Sequence, residues 1–188
     1  DQLDEKILQT LLDTILRHLD RLSSQDYIAV LSTISRLPAS FRSALPVSCV
    51  EEIMQALRSR GYGPWRLEVE AVVHLLEALH GLRQEDEVLL ELVLDRLPAA
   101  LQLSDLSLTL LLRLMESLAE LPKRSRAQVA AHLHRRRKLQ NVLKDSIYKQ
   151  VTSKNLDLEA QVMIAKAIVR LGYEEALTQE LLERLTFS

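Results

Sequence analysis

The residues best suited to chemistry or binding are nine cations that lie between positions 123 and 149. They are Lys123, Arg124, Arg126, Arg135, Arg136, Arg137, Lys138, Lys144 and Lys149. A single carboxylate, Asp145, stands among them between residues 122 and 150. Lysine and arginine side chains on a rigid helix can neutralise the phosphates of a nucleic-acid backbone without reading its bases. The nine residues are therefore candidates for contact with the RNA backbone.

Three interpretations of this basic segment stay open from the residues alone. The cations could form a solvated helix face, contact RNA phosphates, or dock an acidic protein partner. The run "RRRK" at 135–138 also resembles a nuclear import signal, although so short a run is weakly specific. Aromatic rings that stack on bases are scarce here, since Tyr148 and Tyr173 are the only ones near the segment. Backbone contact is favoured over base-specific recognition.

The region before the basic segment has the opposite charge. Residues 66–121 contain four arginines against eleven aspartates and glutamates, whereas the whole chain has a net charge of −2. Such asymmetry indicates that different surfaces meet different partners. We expect the acidic region to face solvent or another protein, and the basic segment 122–150 to face RNA.

Side chains that could support catalysis or bind a metal are isolated from one another. Cys49 is the only cysteine and has no histidine beside it in sequence, which indicates a buried, inert thiol. His132 and His134 are two residues apart, so on a helix their rings point about 200° apart. His74 and His80 are also wrongly spaced for a metal pair on a helix. These residues predict no metal site.

Acidic runs and glycines do not form an active site either. The runs "QEDE" at 84–87 and "YEE" at 173–175 stand at predicted helix starts, where carboxylates cap free amides. The glycines form no phosphate-binding loop, and "SRGYGPW" at 59–65 is typical of a helix end followed by a turn. We therefore expect a protein that is not an enzyme and that uses no cofactor, metal or small-molecule substrate.

Amphipathic helices must position all of these residues. The composition is rich in leucine, with 47% hydrophobic and only 4% aromatic residues, which favours helices over sandwiches or barrels. Arg113 interrupts the most apolar segment, so no run reaches the roughly 18 apolar residues of a membrane span. Apolar spacing predicts helices near 3–22, 23–37, 47–61, 66–82, 85–97, 103–121, 125–138, 139–153, 156–171 and 173–186.

Cap and stop residues mark the ends of several predicted helices. Ser23 or Ser24 is the expected N-cap of the second helix, and Pro38 is its expected stop. Gly61 is expected to end the third helix, and Ser125 to cap the helix that carries most of the cations. These signals separate the helices by short connections.

Four of the predicted helices share one apolar pattern. Their repeats start near residues 22, 67, 106 and 156, and valine, leucine or isoleucine recurs eight, twelve and fifteen positions later. These offsets fall within about 60° around a helix, so the matched side chains share one face. Leucine-rich helices also resemble one another by composition alone, but the spacing of the starts is typical of solenoid repeats.

The predicted fold is therefore all-α, a right-handed α-solenoid of about ten helices in stacked hairpins, like HEAT, armadillo or heptatricopeptide arrays. It forms one domain over residues 1–188, with a basic insert at 122–150. One cysteine allows no internal disulfide, so no oxidising compartment is implied.

A family resemblance is carried by "SQDYIAVLSTISRLP" at 24–38, "LSDLSLTLLLRLMESLAELP" at 103–122 and "LDLEAQVMIAKAIVRLGY" at 156–173. These segments resemble the first helix of the repeats in organellar FAST-kinase-like and heptatricopeptide proteins. The segment "EEALTQELLERL" at 174–185 is similar to the second helix of such repeats. The resemblance implies an α-solenoid in a mitochondrial, RNA-related setting, although the repeats here are less even in length.

These observations predict a non-catalytic subunit of an organellar ribonucleoprotein, either a ribosome or an RNA-processing complex. The expected partners are the phosphate backbone of a ribosomal RNA or an organellar transcript, and other protein subunits. The resemblance implies a mitochondrial location, with a cytoplasmic one as the alternative. The competing prediction is a HEAT- or armadillo-like protein scaffold that contacts no nucleic acid.

Overall fold

The computed structural model describes residues 2–61, 68–103, 106–153 and 157–172, together with positions 179 and 183. Across these residues every regular element is helical, with ten α-helices, one short 3-10 turn and no strand. The prediction of an all-α fold is confirmed for the residues that the structure describes. The predicted helix 173–186 lies outside the described residues, apart from the two isolated positions.

The helices of the described residues follow one another with short connections. In chain order they are α1 (Gln2–Arg17), α2 (Ser24–Arg36), α3 (Ala39–Ala44), α4 (Val47–Gly61), α5 (Val69–Gly81), α6 (Glu87–Leu103), α7 (Leu108–Glu120), α8 (Lys123–Arg135), α9 (Arg137–Ser153) and α10 (Leu158–Leu171). Helix α3 has no counterpart among the predicted helices, because six residues are too few to show a period. Among the described helices, none has both the length and the apolar character needed to cross a membrane.

The helices pack in two rows. In the first row, α2 contacts α5, α5 contacts α7, and α7 contacts α10. In the second row, α1 contacts α4, α4 contacts α6, and α6 contacts α9. Helix α8 packs beside α6 and α9 and also touches α7 and α10. The first row consists of the four helices that share the apolar pattern in the sequence.

Matched positions of the first row point into the core. Twelve residues after the repeat starts stand Ile34, Leu79, Leu118 and Ile168, and each is at most 3% exposed. Burying a leucine or isoleucine side chain stabilises the fold by about 1.5–3 kcal/mol. The shared apolar face therefore contributes substantially to the stability of all four helices.

Side-chain caps fix the ends of these helices. The Ser23 hydroxyl accepts a hydrogen bond from the Asp26 amide at 3.2 Å, and the Asp26 carboxylate accepts one from the Ser23 amide at 2.7 Å. Hydrogen bonds from the Ser23 hydroxyl and amide hold the pKa of Asp26 below its ordinary value. Ser107 and Asp157 cap α7 and α10, and Gly172 closes α10 in the left-handed conformation at φ 64°. The predicted cap at Ser23 is confirmed.

Helix α6 continues past its predicted end. The sequence predicts a stop at Leu97, but the structure has Pro98 inside the helix, which runs on to Leu103. Proline has no amide hydrogen, so the Leu94 carbonyl loses its usual helical donor. Leu97 and Leu101 are both buried on either side of the proline. Packing of these side chains holds the turn together despite the missing hydrogen bond.

A polar network ties the first-row helices together. The Arg113 Nη2 group donates to the two carboxylate oxygens of Glu77 at 2.8 and 3.0 Å, which joins α7 to α5. The same carboxylate is 3.6 Å from Arg36 of α2 and 3.5 Å from His74. The arginine that interrupts the apolar segment thus forms an ion pair between helices.

Candidate nucleic-acid interface

The basic segment forms α8 and α9, which are separated by a single non-helical residue. Arg136 lies between the two helices with φ −114° and ψ 82°, which are not helical values. Its amide donates to the His132 carbonyl at 2.8 Å, and its own carbonyl accepts from the Leu139 amide at 3.1 Å. Helix α9 therefore begins at Arg137, two residues earlier than predicted. We call the four consecutive cations at 135–138 the basic corner.

The start of α8 also differs from the prediction. Ser125 is the N-cap predicted from the sequence, but it lies buried within the first turn, and Pro122 occupies the cap position. The Pro122 carbonyl accepts the first helical hydrogen bond, from the Arg126 amide at 2.9 Å. Lys123 and Arg124 consequently belong to the first turn of α8 instead of preceding it.

Apolar side chains fix α8 and α9 to the rest of the protein. Val129 and Leu133 of α8, and Leu139, Leu143 and Ile147 of α9, are each at most 2% exposed. Both helices pack against α6. Because the apolar faces point inward, the cations occupy the remaining surface of the two helices.

The nine candidate cations fall into three groups along α8 and α9. They are Lys123, Arg124 and Arg126 at the start of α8, the basic corner at 135–138, and Lys144 and Lys149 further along α9. The exposed ones are Lys123, Arg124, Arg135, Arg136, Arg137, Lys138 and Lys149, and the half-buried ones are Arg126 and Lys144. Lys123, at the start of α8, is about 18 Å along the helix axis from Arg135 of the basic corner, at 1.5 Å per residue. The third group lies further along α9. The structure therefore brings only four of the nine together, at the basic corner.

Helix α6 neutralises part of the basic segment. The Arg124 Nε atom is 2.6 Å from a Glu87 carboxylate oxygen, and the Arg136 Nη1 atom is 3.1 Å from an Asp95 carboxylate oxygen. The Gln128 side chain also donates to the Glu87 carbonyl at 2.7 Å. The expectation that the acidic region and the basic segment form separate surfaces is therefore wrong where α6 meets α8.

The sequence does contain a signal for this contact. Glu87, Glu91 and Asp95 are spaced four residues apart, which places their carboxylates along one side of α6. Local spacing does not determine which helix this side faces. The partner is set by the packing of α8 on α6.

The basic corner keeps three cations that no carboxylate neutralises. Within the described residues, Arg135, Arg137 and Lys138 are exposed and take part in no ion pair. Arg137 and Lys138 stand in the first turn of α9, which contains no acidic residue. The free amides and dipole at a helix start favour a negative charge, so cations there are unfavourable. An external anion would remove this repulsion.

His132 lies below the basic corner, between α8 and α6. Its side chain is 7% exposed, and its Nε2 atom is 3.6 Å from the Asp95 carboxylate that pairs with Arg136. Burial is the main cause that lowers the pKa of His132; Asp95 and Glu91 raise it, whereas Arg136 and Arg135 lower it further. The ring is therefore mostly neutral at pH 7, and acid would charge it beside two arginines.

The cations of α9 outside the corner have different surroundings. Lys144 Nζ lies over the Tyr148 ring, 5.2 Å from its centroid, in the geometry of a cation–π contact. Tyr173, the other ring near the segment, lies outside the described residues. Lys149 lines a small cleft of about 230 Å³ beside Leu106. Because Lys144 covers the Tyr148 ring, base stacking on this ring is not favoured.

Two residues considered for catalysis have structural roles. Cys49 is fully buried on α4, and burial, followed by the charges of Glu52 and Asp13, raises the pKa of its thiol. A raised pKa opposes formation of the nucleophilic thiolate. Asp86 of the run 84–87 caps α6, because its carboxylate accepts from the Leu89 amide at 2.9 Å. Both positions agree with the predicted structural roles.

The remaining candidates for chemistry are also separated. His132 is buried and His134 is exposed, as expected for helix positions that point in different directions. In the part of the chain that the structure describes, no three His, Cys, Asp or Glu side chains could together hold a metal ion. The run 173–175 and most of the turn 59–65 lie outside the described residues.

Two comparisons with known proteins found no match. No protein-family model matches the chain. A search of curated proteins finds no similar sequence. Function is therefore inferred from the contacts, burial and charges of the chain itself.

Proposed function

We propose that this chain is a non-catalytic α-solenoid subunit of an organellar ribonucleoprotein assembly, a ribosome or an RNA-processing complex. The basic corner holds phosphates of the RNA backbone, and the helix faces hold neighbouring proteins. The resemblance of three segments to organellar helical repeat proteins supports a mitochondrial location.

The proposal depends on one observation, the basic corner itself. Four consecutive cations stand where α8 ends and α9 begins, and the apolar faces of both helices are anchored in the core. Only Arg136 is paired within the described residues. Concentrating like charges at a helix start is unfavourable without an anion, and a polyanion binds such a site with release of its counterions.

The two rows of helices support the α-solenoid part of the proposal. Stacked hairpins place the first helix of each repeat beside the first helix of the next. The successive contacts of α2, α5, α7 and α10 match that arrangement, as do those of α4, α6 and α9. A solenoid of this kind leaves its edges free to bind larger molecules.

Contact with backbone is favoured over recognition of bases. Readers of single strands stack bases on exposed aromatic rings. Tyr148, further along α9 than the corner, is half-buried beneath Lys144, and Tyr27 of α2 is buried in the core. Phosphate contact requires only cations, which the corner supplies.

A protein scaffold is the second candidate function, and α10 favours it. Leu158, Val162 and Val169 on this helix are 76%, 51% and 62% exposed. Their spacing places them within about 40° of one another around the helix, which forms an apolar stripe. Exposed apolar stripes suit contact with another protein. In a ribonucleoprotein subunit the basic corner binds RNA and the α10 stripe binds protein, whereas in a HEAT- or armadillo-like scaffold only the α10 stripe binds a partner.

A filter-binding titration with an RNA hairpin at several salt concentrations tests the proposal. The corner variant replaces the three unpaired cations Arg135, Arg137 and Lys138 with glutamine. Arg136 is retained because removing it would leave Asp95 without its partner. Each lost phosphate contact lowers the slope of log K against log salt by about 0.7–0.9, so we expect the slope to fall by about 2 to 3.

A matched control removes three exposed cations from the N-terminal part of the chain. They are Lys6, Arg17 and Arg21, which leave the corner intact when changed to glutamine. We expect this control to keep the wild-type slope. If wild type and the corner variant bind equally weakly at low salt, the RNA proposal fails and the scaffold remains. If the control loses as much affinity as the corner variant, the corner is not the binding site.

A further inference from the structure

A second surface of the protein is an open cleft of about 760 Å³. It is lined by the end of α2, by α3, by the start of α4, and by the end of α5 with the turn that follows it. None of the lining residues that the structure describes comes from the basic segment. Volumes of this size are typical of sites for small organic molecules.

One wall of the cleft presents an arginine that the backbone holds in place. The Arg42 Nη1 group donates to the Gly81 carbonyl at 2.7 Å, which joins α3 to the end of α5. Within the described residues, the Nε and Nη2 groups of Arg42 make no hydrogen bond. A guanidinium fixed by one hydrogen bond has its other donors available for a ligand.

A second arginine stands at the turn after α5 in an unusual conformation. Arg83 is the only described non-glycine residue with a positive φ, at 53°. The Gln84 amide donates back to the Leu79 carbonyl at 2.9 Å, so Arg83 occupies the helix-end position where glycine is usual. A side chain other than glycine's is unfavourable in this left-handed conformation, because its Cβ crowds the following carbonyl oxygen. The turn itself therefore does not explain why arginine stands there.

No described carboxylate neutralises the cations of this cleft. Its polar lining includes Arg42, Arg83 and His80, and none of the described residues that line it is acidic. A neighbouring cleft of about 420 Å³ shows the contrast, because its arginines are paired with acids. There Arg58 is 3.2 Å from the Asp86 carboxylate. The larger cleft is the one with uncompensated positive charge.

The floor of the larger cleft is apolar. Ile34, Leu45 and Val50 line it, together with Leu82 beside the second arginine. An apolar floor with a cationic rim suits a ligand that has an apolar or aromatic body and an anionic group. Phosphate suits two arginines, because each guanidinium can donate two parallel hydrogen bonds and a phosphate group has enough acceptor oxygens to bind both.

We propose that this cleft binds an organic phosphate of about nucleotide size, with its phosphate on Arg42 and Arg83 and its body on the apolar floor. The ligand is bound and not converted, so this site is a binding site without catalysis. No sequence motif predicts the cleft, because its lining comes from four separate elements and a turn. The site is independent of the RNA surface at the basic corner.

Fluorescence titration with ADP that carries a methylanthraniloyl group tests this site in the full chain. We expect saturable binding below about 1 mM, displaced by pyrophosphate and much less by adenosine. Arg83→Gly should weaken binding by about tenfold or more, since it removes a charge-assisted hydrogen bond. The same change should raise Tm by about 2 °C, because glycine relieves the left-handed conformation. A merely structural arginine would not give opposite effects on binding and stability.

Two further variants separate the cleft from other anion-binding surfaces. Arg83→Lys keeps the charge and should retain most of the affinity for the probe. The corner variant, with glutamine at 135, 137 and 138, should bind the probe like wild type. The proposal is contradicted if wild type shows no saturable binding, if adenosine displaces the probe as well as pyrophosphate does, or if Arg83→Gly binds normally. Loss of probe binding in the corner variant would also contradict it.

Discussion

Asp95→Asn should strengthen RNA binding, because Asp95 competes with RNA for Arg136. The two side chains are 3.1 Å apart, and they are 33% and 57% exposed. A surface ion pair of this exposure is worth about 1 kcal/mol or less. Releasing Arg136 should therefore tighten binding of an RNA hairpin by about two- to fivefold at low salt, since 1.4 kcal/mol is a factor of ten.

The salt dependence should change together with the affinity. One additional phosphate contact steepens the slope of log K against log salt by up to about 0.9. Between 50 and 200 mM salt, that increase reduces the advantage of the variant by up to about 3.5-fold. Filter-binding titrations at both salt concentrations measure the affinity and the slope in the same experiment.

Asp13→Asn is the matched control for this prediction. It changes the net charge equally, but Asp13 lies on α1, which packs on α4 and not on the basic segment. We expect wild-type affinity and slope from this control. If Asp95→Asn binds RNA no better than wild type or Asp13→Asn, then Arg136 does not contact phosphate and the role given to the corner is wrong.

Two further predictions concern stability. Burial lowers the pKa of His132, so the unfolded chain takes up the proton more readily. The contribution of His132 to stability is then complete above about pH 6.5 and falls as the pH decreases toward the lowered pKa. The Tm measured from pH 8 to 5.5 should therefore drop less for His132→Gln than for wild type. An equal drop in the two proteins would contradict this prediction. Glu77→Gln should lose the ion pair with Arg113, which lowers the free energy of unfolding by about 1 kcal/mol. The control Glu70→Gln, at a side chain that is 65% exposed, should leave the denaturant midpoint unchanged. Equal effects of the two substitutions would show that the ion pair contributes nothing to stability.

The helices were predictable where local patterns and packing agree. Ser23 caps α2 as predicted, because a serine before an apolar stretch satisfies free amides in almost any context. Ile34 and Ile168 are buried because the apolar face of each helix packs against a neighbouring helix. The period of the apolar residues and the capping residues were sufficient to predict these helices.

Errors arise where tertiary packing overrides the local signal. Pro98 normally stops a helix, but buried leucines around it carry α6 on to Leu103. Ser125 is a good cap by type, yet Pro122 already supplies the first helical carbonyl. Arg83 gives no signal of a left-handed turn, because glycine is the residue that marks such turns.

The candidate interface was only partly predictable for the same reason. The nine cations are visible in the sequence, and the exposure of most of them agrees with their predicted place on helix surfaces. The pairs of Arg124 with Glu87 and of Arg136 with Asp95 depend on which side of α6 faces α8. Long-range packing determines which side of α6 faces α8, and the spacing of residues along one helix does not specify it.

Crosslinking of an RNA hairpin to the full chain, followed by mass spectrometry of the crosslinked peptides, tests the central claim most directly. If the basic corner holds the RNA backbone, the crosslinks concentrate in peptides that contain residues 135–138 and decrease in the corner variant. Crosslinks that concentrate on the first-row helices, or that are as frequent in the corner variant as in wild type, would contradict the account.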